Sequence, residues 1–154
     1  MKAIERLLWS IALPGLGQFL NQKYVKGIIC IILEFLINIQ SHFNEAIHLS
    51  FLGRIEEAVQ VINYQWLMFY PCLYFFAMWD AYKDAGGGKS PYAFLPFVFC
   101  AYFVTVGLMY STELTIFGIF FGPIWLPMLS VIPGVIVGLI IRELLIRITK
   151  TDYK

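Results

Sequence analysis

The chain has 154 residues, 60% of them hydrophobic and 14% charged, with a formal net charge of +1 and a mean hydropathy of +0.74. Soluble domains carry about 25% charged residues, so ordinary globular folding fits poorly and the long apolar runs place the chain among membrane proteins. The near-neutral balance excludes a nucleic-acid partner, which needs a basic surface.

Residues 1–13 set Ile4, Leu7, Leu8 and Ile11 at helical spacing, opposite Lys2, Glu5, Arg6 and Ser10. The pattern predicts an amphipathic helix in the headgroup region, anchored by Trp9 and too short to span. A cleaved leader is not expected: Glu5 sits in the basic start, and no small-x-small site precedes the next polar stretch. The stretch 13–27, LPGLGQFLNQKYVKG, is too polar and glycine-rich to span. Pro14 fixes a turn, while Gly15 and Gly17 allow close approach or positive φ. Gln18, Asn21 and Gln22 supply hydrogen bonds to backbone groups freed by the break. Residues 1–24 thus form an interfacial helix and turn.

The first span is predicted from about 25 to 42, opening at Gly27 and carrying Glu34 and Asn38. Glu34 lies ~13 Å inside at 1.5 Å per residue. Such a carboxylate is costly unless paired, protonated or facing water, so it reads either as a proton or cation site or as a protonated acid bonded within the bundle. Asn38, one turn on, shares its face. Residues 43–60 form an outer insert split by Gly53. The second span, about 61–82, is aromatic, with Trp66 and Trp79 near its ends and Pro71 expected to kink its middle. It closes the hairpin 25–82, with Asp80 near the inner interface beside Lys23, Lys26 and Lys83 as possible partners.

Residues 83–91, KDAGGGKSP, form a flexible polar loop. AGGGKS fails as a phosphate loop, because lysine stands at position 83 where glycine is required and no buried strand precedes it. The second hairpin, 92–143, holds a third span at about 92–110, a link at 111–114, an interfacial or partly re-entrant piece at 116–123, and a fourth span at 125–141. A basic tail follows at 144–154. Gly118 with Gly122 and Gly134 with Gly138 have small-xxx-small spacing, suited to packing within the bundle or to docking a membrane-protein partner or second copy.

Cys30, Cys72 and Cys100 lie in apolar runs without a CxxC pair and read as small core residues. His42, Glu45 and His48 spread over a helical arc of about 120°, too wide for three-point metal binding. No Ser/His/Asp set, paired catalytic carboxylates or zincin motif is present, so neither enzyme chemistry nor a cofactor is expected. With four spans, ten of the eleven lysines and arginines fall on one side and only Arg54 on the other. That side is cytoplasmic, with both termini inside.

Pro14-Gly15-Leu16-Gly17-Gln18-Phe19, then Asn21, then Lys26-Gly27 opening an apolar helix, resembles the start of the two-transmembrane-helix domain family. Asp80-Ala81-Tyr82 is similar to that family's closing motif. The resemblance covers residues 1 to about 85 and implies a cytoplasm-facing helical hairpin, often of undefined function, with no established enzymatic activity. The long outer connection and the two further spans depart from the family's pattern. The arrangement also resembles the N-terminal extra helices of some bacterial oligosaccharide-transporter permeases. The expectation is therefore an all-α protein of the bacterial cytoplasmic membrane, with four transmembrane helices and an N-terminal amphipathic interfacial helix. Two roles follow: an accessory or scaffold protein docking other membrane components, those of a transport system among them, or a small transporter or channel subunit with its acidic site at Glu34. Asp80 and Tyr82 join Glu34 and Asn38 as candidate functional positions.

Overall fold

The computed structural model describes residues 2–151, without the side chains of Lys150 and Thr151; of the expected basic tail, 152–154 lie outside the described residues. The chain is mostly helical. α1 (Lys2–Ala12) and α2 (Leu16–Leu20) form a tight corner around Gly15, whose φ of 107° no ordinary L-residue adopts readily. α2 ends where Lys23 N–H donates to the Gln18 carbonyl at 2.9 Å, with Gln22 left-handed. α3 (Tyr24–Ser41) leads through a left-handed His42 into α4 (Phe43–Phe51). Gly53, at φ 75°, separates α4 from α5 (Ile55–Val61), and Arg54 N–H closes the turn on the Leu49 carbonyl at 2.9 Å.

Val61 therefore ends a short outer helix and does not begin the second span. Asn63 N–H donates to the Ser41 carbonyl at 3.1 Å, bringing the chain back to the end of α3. α6 (Tyr64–Leu67) and α7 (Tyr70–Asp84) follow. Pro71 lies in the first turn of α7, so the interruption falls at Met68–Phe69, outward of the expected mid-span kink. Proline has no N–H for the carbonyl four residues back, and its ring crowds that position.

α8 (Leu95–Met109) is shorter than the span expected at 92–110, because Pro96 favours a helix start and Tyr92 is left-handed. The piece at 116–123 is a short hairpin whose last two residues, Gly122 and Pro123, already open the final helix. β1 (Thr115–Ile116) and β2 (Ile119–Phe120) pair antiparallel, with Thr115 opposite Phe120 and Ile116 opposite Ile119. Their two-residue turn, Phe117-Gly118, has positive φ at both positions, the geometry whose twist suits a hairpin. α9 (Gly122–Thr151) then runs 30 residues, carrying Pro127 and Pro133 inside it.

α3, α6 with α7, α8 and α9 run antiparallel in succession. Gly107, Gly134 and Gly138 set the spacing of the last pair: a Cβ on Gly134 would lie 2.8 Å from the Cys100 Cα, and one on Gly138 2.6 Å from the Pro96 Cα. Both glycines are thus occupied within the chain. Gly118 sits in the β-turn and Gly122, at φ 65°, faces Ile55, so those two do not form a helical small-residue pair. α3 and α9 are long and apolar enough to cross a membrane.

Two apolar clusters fill the interior. One joins Ala46, Leu49, Ala58, Leu67, Leu108 and Ile124 at the end carrying the outer insert. The other joins Phe75, Met78 and Cys100, with Leu7 packed on it. Leu7 reveals the placement of α1: it runs antiparallel beside α7, from Gly17 and Ala81 inward to Tyr74, whose hydroxyl donates to the Ile11 carbonyl at 2.7 Å. The expected faces of α1 are partly exchanged. Ser10 is fully buried, whereas Ile4, Leu8 and Ile11 point outward. Ser10 fits because its hydroxyl bonds back to the Arg6 carbonyl at 2.9 Å and only a small residue clears Gly17.

Candidate functional site

The α1–α2 corner, the start of α3 and the last two turns of α7 meet in one polar junction. Helix carbonyls have a second lone pair to offer. Gln18 Nε2 donates to the Ala77 carbonyl at 2.8 Å, and Asn21 Nδ2 to the Ala81 carbonyl at 2.8 Å. A residue of α2 and its C-cap, three apart, thereby address carbonyls one turn apart on α7. The approach is close because Gly17 lies against Ala81 and because Ala77 and Ala81 are small and fully buried; a Cβ on Gly17 would come within 2.7 Å of the Ala81 Cβ. Gly15 nestles against the Gly27 carbonyl, Cys30 and Ile31, while Gly27 receives the Phe19 ring. Pro14 is fully buried at the apex.

Charge closes the junction at its rim. Lys26 Nζ lies 2.6 Å from Asp80 Oδ1 and 2.8 Å from Asp84 Oδ2, and Gln18 Nε2 also donates to Asp80 Oδ2 at 3.2 Å. Of the three lysines expected near Asp80, Lys26 is the one bonded to it. Tyr82 faces elsewhere: its ring packs near Trp79 and Phe97 and covers Gly87. Gly88 lies beneath Trp79, so the 83–91 loop is folded onto aromatic rings.

Glu34 lies deeper on the same inward stripe of α3, which runs Gly27, Cys30, Glu34, Ile37, Ser41. It is 7% exposed, and its Oε2 is buried without a hydrogen-bond partner. The Tyr70 hydroxyl is its hydrogen-bonding neighbour and Tyr74 stands within electrostatic reach. Asn38 does not join it: Asn38 Nδ2 donates to Asn44 Oδ1 at 3.1 Å, bracing the break at His42. At the outer insert, His42 Nδ1 lies 3.7 Å from Glu45, and no group of three metal-ligating side chains occurs among the described residues. Arg54 and Glu57 form an exposed ion pair there; the guanidinium hydrogen bond holds the Glu57 carboxyl below its ordinary range.

A cavity of about 530 Å³, almost wholly apolar, opens between α1, α4, α7, α8 and α9, with Tyr70 and Tyr74 on its wall. Three contributors to the polar junction escaped the sequence reading. Asp84 was hidden in a loop assignment. Ser10 was hidden on a face taken as wet. Ala77, four residues before Ala81, makes a small-xxx-small pair that a search limited to glycine misses. No family model, curated protein or solved structure matches the chain.

Proposed function

We propose that the chain is a small integral-membrane accessory or scaffold protein of the bacterial cytoplasmic membrane, docking other membrane components. Its four spans are α3, α6 with α7, α8, and α9, with both ends cytoplasmic. One observation carries the membrane reading: large apolar side chains cover the outside of the helices while several polar ones are buried. Along α3, Ile28, Ile29, Ile32, Phe35 and Ile39 are exposed, whereas Glu34 and Ser41 are buried. Ser10, Gln18, Ser50 and Ser111 are likewise buried. In water this arrangement would expose apolar area far beyond the largest patch usual for a monomer; against lipid tails it has no such cost. The polar junction at Lys26, Asp80 and Asp84 then forms the cytoplasmic organising surface. That placement agrees with the hairpin which the motif resemblance implies. The reading is non-enzymatic.

The docking role is tested by photo-crosslinking in native membranes from lipid-facing positions such as Phe76 and Ile136, both exposed. Discrete protein adducts, reproducible from one face and absent from the other, support it. Adducts with lipid alone from every face would remove it.

The buried, unpartnered Oε2 of Glu34 favours a second reading, a small transporter or channel subunit acting through that carboxyl. Reconstituted chain should then pass ions or protons, and Glu34→Gln should abolish the flux while leaving assembly intact. Zero flux in the intact chain would dispose of this reading.

A further inference from the structure

We propose that Glu34 is a proton-binding site that exchanges with the aqueous phase only at the Lys26 end of the bundle, along a polar seam between α2, α3 and α7. The proposal rests on the transport reading and names the species handled and its side of access.

Two buried acceptors without donors define the seam. Gln18 is fully buried; its Nε2 is engaged by Ala77 and Asp80, and its Oε1 has no partner. Glu34 Oε2 is the second. Among the described residues no lysine, arginine or histidine pairs with Glu34. A buried carboxylate with a tyrosine hydroxyl but no cation beside it is costly, and a proton on Oε2 converts an unmet acceptor into a donor. A metal ion would be poorly served, since no second carboxylate, histidine or thiolate completes a ligand set.

Access is asymmetric. Outward of Glu34 the stripe continues through Ile37 to Ser41, whose hydroxyl is bonded to the Ile37 carbonyl at 2.6 Å. Asn38 is engaged by Asn44, and beyond them lies the Ala46, Leu49 and Leu67 cluster. Inward the stripe passes Cys30 to the Lys26–Asp80–Asp84 group, ~12 Å away along the helix axis at 1.5 Å per residue. The α1–α2 corner roofs this inner half, with Gly15 against Gly27, Cys30 and Ile31. A hydronium ion that enters from the Asp80 rim along the seam and reaches hydrogen-bond distance of Glu34 gives its proton to Oε2 and leaves as water; release runs the same way in reverse.

The titratable groups around Glu34 are Lys26 and Cys30 on α3 and Tyr70, Tyr74, Asp80 and Asp84 on α7. α2 offers Gln18, which does not titrate. His42 and, on α4 and α6, Glu45, His48 and Tyr64 belong to the outer end.

The test uses the full chain in inverted and right-side-out membrane vesicles treated with dicyclohexylcarbodiimide, which adds to protonated carboxyls in apolar surroundings. The adduct at Glu34 is read by peptide mass spectrometry. In inverted vesicles, where the Lys26 end faces the bath, its yield should fall about tenfold per pH unit of the bath beyond the midpoint, as one-proton titration requires. In right-side-out vesicles bath pH should leave it unchanged. Infrared spectra supply an independent readout: a carboxylic C=O band lost at high pH and missing from Glu34→Gln. Yield that follows the pH of the opposite face overturns the route. Absence of a titrating band in the intact chain overturns the site. Titration with no measurable flux removes the transport reading and leaves the site in place.

Discussion

At the scale of single residues, the junction depends on what is absent as much as on what is present. A methyl group at Gly17 would press on the Ala81 Cβ, on Ser10 and on the Arg6 carbonyl, none of them the far end of a flexible chain. Gly17→Ala should therefore cost about 1–3 kcal/mol of stability, as overpacking does. Unfolding in mixed detergent micelles reads this directly. Gly118→Asn is the control: the site is open, and asparagine tolerates the left-handed turn, so stability should hold. The exposed Arg54–Glu57 pair gives the acid response of the outer insert. Glu57 is held low by Arg54, so its contribution is present above the unfolded-state value and is lost as pH falls through the folded one. Carboxyl NMR should place Glu57 below the ordinary glutamate range, and Arg54→Gln should return it there. An unchanged titration in Arg54→Gln would show that the pair does not form in solution.

At the scale of elements, glycine has two meanings that spacing alone does not separate. Gly134 and Gly138 sit inside an uninterrupted helix, and both turn toward α8. Gly118 and Gly122 have the same spacing, yet the chain between them is a strand and a turn. The small-residue rule presupposes the helix that would align the pair. Gly134→Leu should thus drive α9 from α8 and cost more than about 3 kcal/mol, whereas Ile132→Leu on the exposed face should be nearly neutral. Equal stability of the two variants in micelles would refute the helix contact. The same distinction explains which parts of the fold were legible. Apolar length located α3 and α9, and Gly53 located the α4–α5 break, because each signal is local. Pro71 signalled an interruption, but its register followed from where α6 began, which depends on Asn63 reaching back to Ser41. The motif PGLGQ with Asn21 was legible as a backbone-satisfying turn; its partners, the Ala77 and Ala81 carbonyls, belong to a helix about sixty residues away. The depth of α1 was not legible, since Ser10 becomes a core residue only once Gly17 packs over it.

At the scale of the whole molecule, the two ends of the bundle differ in charge. Lys26, Asp80 and Asp84 meet at one end, and Arg142 joins that end through the Pro91 carbonyl at 3.2 Å and Ser90 Oγ at 2.8 Å. At the other end Trp125 Nε1 donates to the Ser50 carbonyl at 3.3 Å, tying α9 to α4, and the uncharged β1–β2 hairpin carries Phe117, which is 100% exposed. Arg54 is the lone lysine or arginine of the connections there. Positive residues stay on the cytoplasmic side during insertion, so the membrane reading proposed above puts Lys26 inside and Phe117 outside. A cysteine scan tests that orientation once Cys72, which is exposed, is replaced by serine; Cys30 and Cys100 are buried. In intact cells, a membrane-impermeant maleimide should label Phe117→Cys and spare Lys89→Cys. In inverted vesicles the pattern should reverse. Labelling of both positions from one side would require an odd number of crossings between the 83–91 loop and the hairpin to be wrong, and α8 could then no longer be a span. Labelling in the opposite sense would invert the molecule, placing the Lys26–Asp80–Asp84 junction outside and removing it as a cytoplasmic organising surface.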